Sequence, residues 1–337
     1  MVAEVKRMRI GVIDSNINLT DPFFREKRIK VFSLVSGPTL HGTNVLKVLY
    51  KIVPRETEIV VVAILGNENK SSLKLLNKAI KICLNETVDI INISLGFEKI
   101  SNSDECIELK MLCEESVKQH IQIFAAYTNN MDAISYPASF PNVIGIKYNQ
   151  YNENLFTIER HSNDIVFSSR TVAIRDKNHF ELINGNSYIA PYISAIYAVF
   201  RREKKNNIKF DFYKYLNKLK NDKYLIFNQK IYDRVKKENI IYVKSGTCSA
   251  DDYLIKYFKR KNYVFVCDLK EVQKNRQLQY DCIVIGAFHE YNKDISMLIG
   301  ENIEKKKNII MLYPFIETIE RRRISKENSI DIISLYL

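Results

Sequence analysis

The chain has 337 residues, is 46% apolar, and carries only ten Gly and seven Pro, which excludes a disordered, collagenous or linker-like protein. Its formal charge of +12 is unevenly spread: residues 201–337 hold 29 Lys and Arg against 18 Asp and Glu, whereas residues 1–200 are nearly balanced at 22 against 21. The length exceeds what one core usually serves, so a large domain over 1–205 and a smaller basic domain over 206–337 are expected, joined at the polar stretch Arg201-Arg202-Glu203-Lys204-Lys205-Asn206-Asn207.

Short β-branched runs alternate with helical stretches along the first 200 residues. Strands are predicted at Arg9–Asp14, Glu58–Leu65, Val88–Leu95, Ile121–Tyr127 and Asn142–Lys147, with helices across about 71–84 and 103–119. Continuous apolar strands separated by helices imply a parallel, doubly wound sheet covered on both faces. The second part repeats the pattern on a smaller scale. Strands are predicted at Asn239–Val243, Tyr263–Cys267, Cys282–Ile285 and Asn308–Leu312, with helices at Ala250–Lys259 and Asp294–Lys305. The expectation is an α/β protein with a second, smaller Rossmann-like domain.

Other features bound the function. No window reaches the roughly eighteen uncharged apolar residues of a membrane span, and the N-terminus lacks the h-region of a signal peptide. A cytoplasmic protein without membrane association is therefore expected. Three of the six Cys (Cys83, Cys267, Cys282) lie in apolar stretches and read as reduced core thiols. No CxxC or Cys/His cluster calls for a metal, and no cofactor is expected. Ser245-Gly246-Thr247-Cys248-Ser249-Ala250 follows a strand and opens a helix, but lacks the Gly-Lys-Ser/Thr ending of a phosphate loop. The basic surface of the second domain is a solvated face or a docking surface for an acidic peptide; it carries no nucleic-acid motif.

Four separated polar residues stand where acyl transfer would need them. Asp14 ends the first strand; His41 opens His41-Gly42-Thr43 ahead of an apolar helical run; Asn129 follows the fourth strand; Ser187 starts another apolar helix. A serine hydroxyl is a weak nucleophile until an imidazole takes its proton, and a buried carboxylate fixes the imidazole tautomer. A helix N-terminus offers backbone N–H to an oxyanion, and an Asn side chain can offer a second donor.

In this order the residues resemble the subtilisin-like serine proteases, or subtilases, over about residues 8–200. Val12-Ile13-Asp14-Ser15-Asn16 resembles the family's Asp motif, His41-Gly42-Thr43 its His motif, and Asn184-Gly185-Asn186-Ser187 with Pro191 its serine motif. Asp89-Ile90-Ile91-Asn92-Ile93-Ser94-Leu95-Gly96 is similar to the substrate-binding strand, and Ala125-Ala126-Tyr127-Thr128-Asn129 to the oxyanion segment. The resemblance implies catalytic roles for Asp14, His41, Ser187 and Asn129, and substrate binding by Ser94, Leu95, Gly96, Ala126 and Thr128. The chain departs from the family at Asn16, Asn44, Phe97, Thr128, Asn186, Tyr188 and Ile189. Asn16, for a usual Gly, is expected to tolerate left-handed backbone. Thr128 and Phe97 replace glycines beside the substrate cleft. The short chain between His41 and Glu58 leaves no room for the family's calcium loop.

Two readings follow. One is an intracellular serine endopeptidase of narrow specificity, without a propeptide because Asp14 lies so near Met1, processing for instance the leader of a ribosomally made peptide. Its partner is then a peptide or protein substrate, acidic if the basic domain binds it. The other is a binding or scaffold protein on a catalytically impaired subtilase fold, its cleft blocked by Thr128, Phe97 and Tyr188.

Overall fold

The computed structural model describes residues 7–66, 70–98, 103–130, 133–149, 156–159, 162, 164–167, 170–176, 179–203, 212–218, 238–244, 246, 249–260, 262–274, 278–286, 288, 293–312 and 318–334. These divide into two units. The first takes the described residues up to Asn149, with Phe156–Arg170 and Asn184–Tyr215; the second takes Thr171–Ile183 and those from Leu216 onward. Among the described residues no helix is long and apolar enough to cross a membrane.

In chain order the first unit contains β1 (Arg9–Ser15), β2 (Arg28–Ser33), α1 (Leu40–Tyr50), β3 (Glu58–Leu65), α2 (Leu73–Asn85), β4 (Ile90–Ile93), α3 (Asp104–Lys118), β5 (Gln122–Ala126), β6 (Val143–Tyr148), β7 (Phe156–Ile158) and β8 (Ile165–Phe167). The strands β9 (Thr171–Asp176) and β10 (His179–Asn184) pair with each other in a separate sheet; α4 (Asn186–Glu203) and α5 (Phe212–Lys218) follow. The main sheet runs β2-β3-β1-β4-β5-β6-β8-β7, parallel throughout except for β7. Strand β3 shows why the sheet is doubly covered: Ile59 to Leu65 are all buried, which an apolar run achieves only with helices on both faces. On one face α2 and α3 bring Leu76, Ile80, Cys83, Leu109 and Cys113 over Ile13, Val60, Val62, Ile91 and Ile123. Both helices start on serines whose hydroxyls accept first-turn N–H groups, Ser72 from Leu75 and Ser103 from Cys106. On the other face α4 packs against α1, β4, β5 and β6.

Topology positions the site. The chain leaves β1 towards β3 and returns at β4 on the other side, so β1 lies between them. The crevice at the carboxyl end of such a strand is where open α/β sheets bind ligands. Asp14 stands there.

The five strands expected before residue 150 are β1, β3, β4, β5 and β6. Strand β2 was not expected: Arg28, Lys30 and Ser33 are exposed, because an edge strand needs only a partly covered face. Strands β7 and β8 have three residues each, too few for a readable period.

The second unit contains β11 (Asn239–Val243), α6 (Ser249–Lys259), β12 (Tyr263–Cys267), α7 (Leu269–Lys274), β13 (Cys282–Ile285), α8 (Lys293–Glu304), β14 (Asn308–Met311), α9 (Thr318–Asn328) and β15 (Ile332–Ser334). Its sheet, β12-β11-β13-β14-β15, is all parallel and one strand longer than expected, since β15 was not anticipated. Ile241, Val243, Ile283, Ile285, Ile309 and Met311 form its core with Ile295, Leu298 and Ile299 of α8. Lys204 and Lys205 of the basic join, and Ser245, Thr247 and Cys248 of the loop before α6, lie outside the described residues. Asp251 and Asp252 occupy the first turn of α6, and Lys244 pairs with Asp252 at 3.0 Å. Two carboxylates at a helix N-terminus repel an anion, which argues against a phosphate site.

Candidate active site

Residues 173 positions apart in sequence meet at the end of β1. Asp14 is fully buried; its Oδ1 accepts the Ser15 N–H at 2.6 Å and lies 2.8 Å from His41 Nδ1. The β1–β3 register shifts between Asp14 and Ser15, which ends regular pairing where the carboxylate turns to the histidine. His41 sits in the first turn of α1, and the next two residues dock that turn onto the strand end. The Gly42 N–H donates to Ser15 Oγ at 2.8 Å, and a Cβ there would stand 2.6 Å from the Ser15 carbonyl oxygen, so only glycine permits the approach. Thr43 Oγ1 accepts the Asn18 N–H at 2.9 Å.

Ser187 Oγ lies 3.0 Å from His41 Nε2, hydrogen-bond distance for a hydroxyl and an imidazole. The serine opens α4 after Gly185, whose φ of +151° suits glycine. Pro191, inside the helix, has no N–H to give the Ser187 carbonyl four residues back, so that carbonyl lacks its usual helical partner. Being in the first turn of α4, Ser187 presents its own N–H outside the helical ladder.

Asn129 faces this turn. Its Oδ1 accepts from the Asn186 N–H at 3.3 Å and from the Arg170 guanidinium at 3.4 Å, while its Nδ2 donates to no atom among the described residues. Asn186 returns the contact: its buried Nδ2 donates to the carbonyls of Tyr127 and Thr128 at 3.2 and 2.9 Å. The serine turn and the Asn129 segment are thus laced together from both sides.

The other expected site residues lie at the ends of the neighbouring strands β4 and β5. Ser94 is buried, and its hydroxyl accepts from Asn92 Nδ2 at 2.7 Å. Asn92 Oδ1 in turn accepts from Ser194 of α4 at 3.0 Å, which ties the end of β4 to that helix. Leu95 is half-buried against the core, and Ala126 is buried in it. Gly96 has no free space: a Cβ there would collide with Ser135 Oγ and come 3.4 Å from Thr128 Cγ2. Ser135 Oγ also accepts the Thr128 N–H at 3.1 Å. Phe97 and Tyr136 exchange both backbone hydrogen bonds at 2.9 Å. The gap between Gly96 and Thr128 is therefore closed by side chains.

Burial alone pushes the His41 pKa down, but the Asp14 charge and hydrogen bond outweigh it and the net shift is upward from 6.5. A histidine acting as base must be neutral, so labelling of Ser187 by a fluorophosphonate should rise with pH through a midpoint above the ordinary imidazole value. Because the folded pKa is raised, the His41⁺–Asp14⁻ pair stabilises the fold at low pH and that contribution fades as pH climbs through the same midpoint. Coincident midpoints in labelling and in the Ser187→Ala melting profile check both signs.

The sequence did not single out Asn92, Arg170, Ser135 or Ser194. The contacts Ser135–Thr128, Arg170–Asn129 and Ser194–Asn92 span 7, 41 and 102 positions, and no local spacing announces them. Asn16 corrects an expectation: it is not among the residues of positive φ. Its side chain instead bridges β2, accepting from Ser33 Oγ at 2.7 Å and donating to the Val35 carbonyl at 2.9 Å.

The chain is similar in structure to the patellamide maturation protease PatA, at 18% identity over 59% of this chain and 79% of that one, with a TM-score of 0.47. The prenylagaramide maturation protease PagA gives 17%, 59%, 77% and 0.46, and the nisin leader peptidase NisP from Lactococcus lactis 16%, 60%, 79% and 0.47. No curated protein matches the chain in sequence. The model of the subtilase family matches residues 6–216, the stretch that builds β1 to α4 and every residue of this site, and the chain belongs to that family.

Proposed function

We propose that this chain is a serine endopeptidase in which Ser187 attacks the scissile carbonyl, His41 takes and returns the proton, Asp14 holds the imidazole, and Asn129 with the Ser187 N–H receives the oxyanion. The observation that carries this reading is the continuous contact Asp14–His41–Ser187, at 2.8 and 3.0 Å. His41 accepts the Ser187 proton on Nε2 as Oγ bonds to the carbonyl carbon, and the Nδ1 proton stays on the imidazole, which donates it as a hydrogen bond to Asp14 Oδ1. The imidazolium then gives its proton to the leaving amine, and water repeats the sequence to free the acyl group. A scaffold protein has no need of this geometry.

Narrow specificity is the second half of the proposal, with the leader of a ribosomally made peptide as the substrate class. Support comes from Thr128, which stands where the family has a glycine beside the cleft and packs with Ser135 against Gly96, bulk that on this reading narrows the space for the side chain preceding the cleaved bond. Small residues such as Gly, Ala or Ser should be preferred there. Thr128→Gly should raise kcat/KM for a substrate with Leu or Met at that position about 10–100-fold, the scale of one or two methylenes in a pocket. Synthetic leaders should be cut at one bond, and acidic ones faster at low salt, given the +11 carried by residues 201–337. Indiscriminate digestion of casein would sink the narrow reading and leave the serine chemistry standing.

A further inference from the structure

The residue after the nucleophile lays an aromatic ring against the base. Tyr188, half-buried in the first turn of α4, sets its ring centroid 4.9 Å from that of His41, the planes 38° apart. This is a tilted contact, and at that separation the imidazole lies within reach of the phenol's electron-rich face. Asp14 from β1 and Ser187 from α4 hold the two ring nitrogens in its plane, at 2.8 and 3.0 Å. Neither fixes rotation of the ring about the line joining its nitrogens. Tyr188 touches that remaining freedom.

We infer that Tyr188 is a positioning residue: its ring face holds the His41 imidazole in register with Asp14 and Ser187, and favours the imidazolium formed when the serine proton is taken. The inference rests on reading His41 as the base. A cation within about 6 Å of an aromatic face is attracted by the ring quadrupole. Two effects of the ring oppose each other. By shielding His41 from water it disfavours the charged form; by presenting its face it favours it. A leucine of similar bulk keeps the shielding and lacks the face, so Tyr188→Leu isolates the attraction, and Tyr188→Phe retains it. Among the described residues the charged and titratable groups against His41 are Asp14, the Ser187 hydroxyl and the Tyr188 phenol; neither substitution alters the first two.

Two measurements test this. The first is the pH dependence of fluorophosphonate labelling. The second is the His41 titration followed by NMR in a Ser187→Ala background, which requires no activity. Tyr188→Leu should lower the His41 midpoint by about half a pH unit and slow plateau labelling roughly 3–10-fold, while Tyr188→Phe keeps both near wild type. Tyr188→Met serves in place of Leu if that variant does not fold. An unchanged midpoint in Leu and Met, or a Phe variant that falls as far as they do, overturns the inference. A change confined to KM for peptides does so as well, making Tyr188 only a wall of the cleft. If the wild type is never labelled, the protease reading fails, and the NMR titration still decides whether the ring acts on His41.

Discussion

Ser187→Ala should abolish fluorophosphonate labelling and lower kcat by about 10⁶-fold, and His41→Ala by a similar factor, the scale known for the same two replacements in subtilisin. The double variant should be scarcely worse than either single one. The reason is geometric: Ser187 lies 3.0 Å from His41 Nε2 and has no other base in contact among the described residues, so losing either partner leaves the other without a task. Asp14→Asn should also be severe, because an amide that donates to Nδ1 fixes the wrong tautomer and leaves Nε2 protonated, unable to accept from the serine. Multiplying losses in the double variant would mean that the two residues act in separate steps. Retained labelling in Ser187→Ala would place the nucleophile elsewhere.

How much of this was legible in the sequence follows from the range of each interaction. Asp14, His41 and Ser187 each end or start an element, and such positions show up as a polar residue at the edge of an apolar run. The buried strands were readable for the same reason: Ile59 to Leu65 is apolar without interruption. What was hidden depends on segments that meet only after folding. Asn186 looked like a plain departure from a threonine, yet its amide grips two carbonyls 58 and 59 residues earlier. Asn92 looked like one more position of a strand, yet it joins Ser94 to Ser194 inside the core. Asn16 was expected to solve a backbone problem and instead solves a side-chain one, tying β1 to β2. Thr128 was legible as a substitution, but its effect was not, because the space it fills is shared with Ser135, and no spacing shows that the two side chains meet. Local pattern identifies elements and their ends; it does not identify which ends touch.

Asn129→Ala should lower kcat about 10²–10³-fold and leave KM within a few-fold, the usual cost of one oxyanion donor, a figure whose reference case is the equivalent subtilisin residue. The orientation of the amide gives a sharper version. Its Oδ1 is engaged by the Asn186 N–H and the Arg170 guanidinium, which turns Nδ2 away from those partners as the free donor. Asn129→Asp keeps the volume and both anchors but replaces the donor by a second carboxylate oxygen. Negative charge then faces a carbonyl oxygen that becomes negative in the transition state, so Asp should be at least as damaging as Ala, though it is the closer isostere. Arg170→Ala should cost much less, since the Asn186 N–H still holds the carbonyl. The order Arg170→Ala, then Asn129→Ala, then Asn129→Asp, in falling kcat at nearly constant KM, is what an oxyanion donor requires. If Asp were better tolerated than Ala, the side chain would be acting through its shape or its Oδ1 contacts, and the oxyanion would have to rest on the Ser187 N–H and another donor.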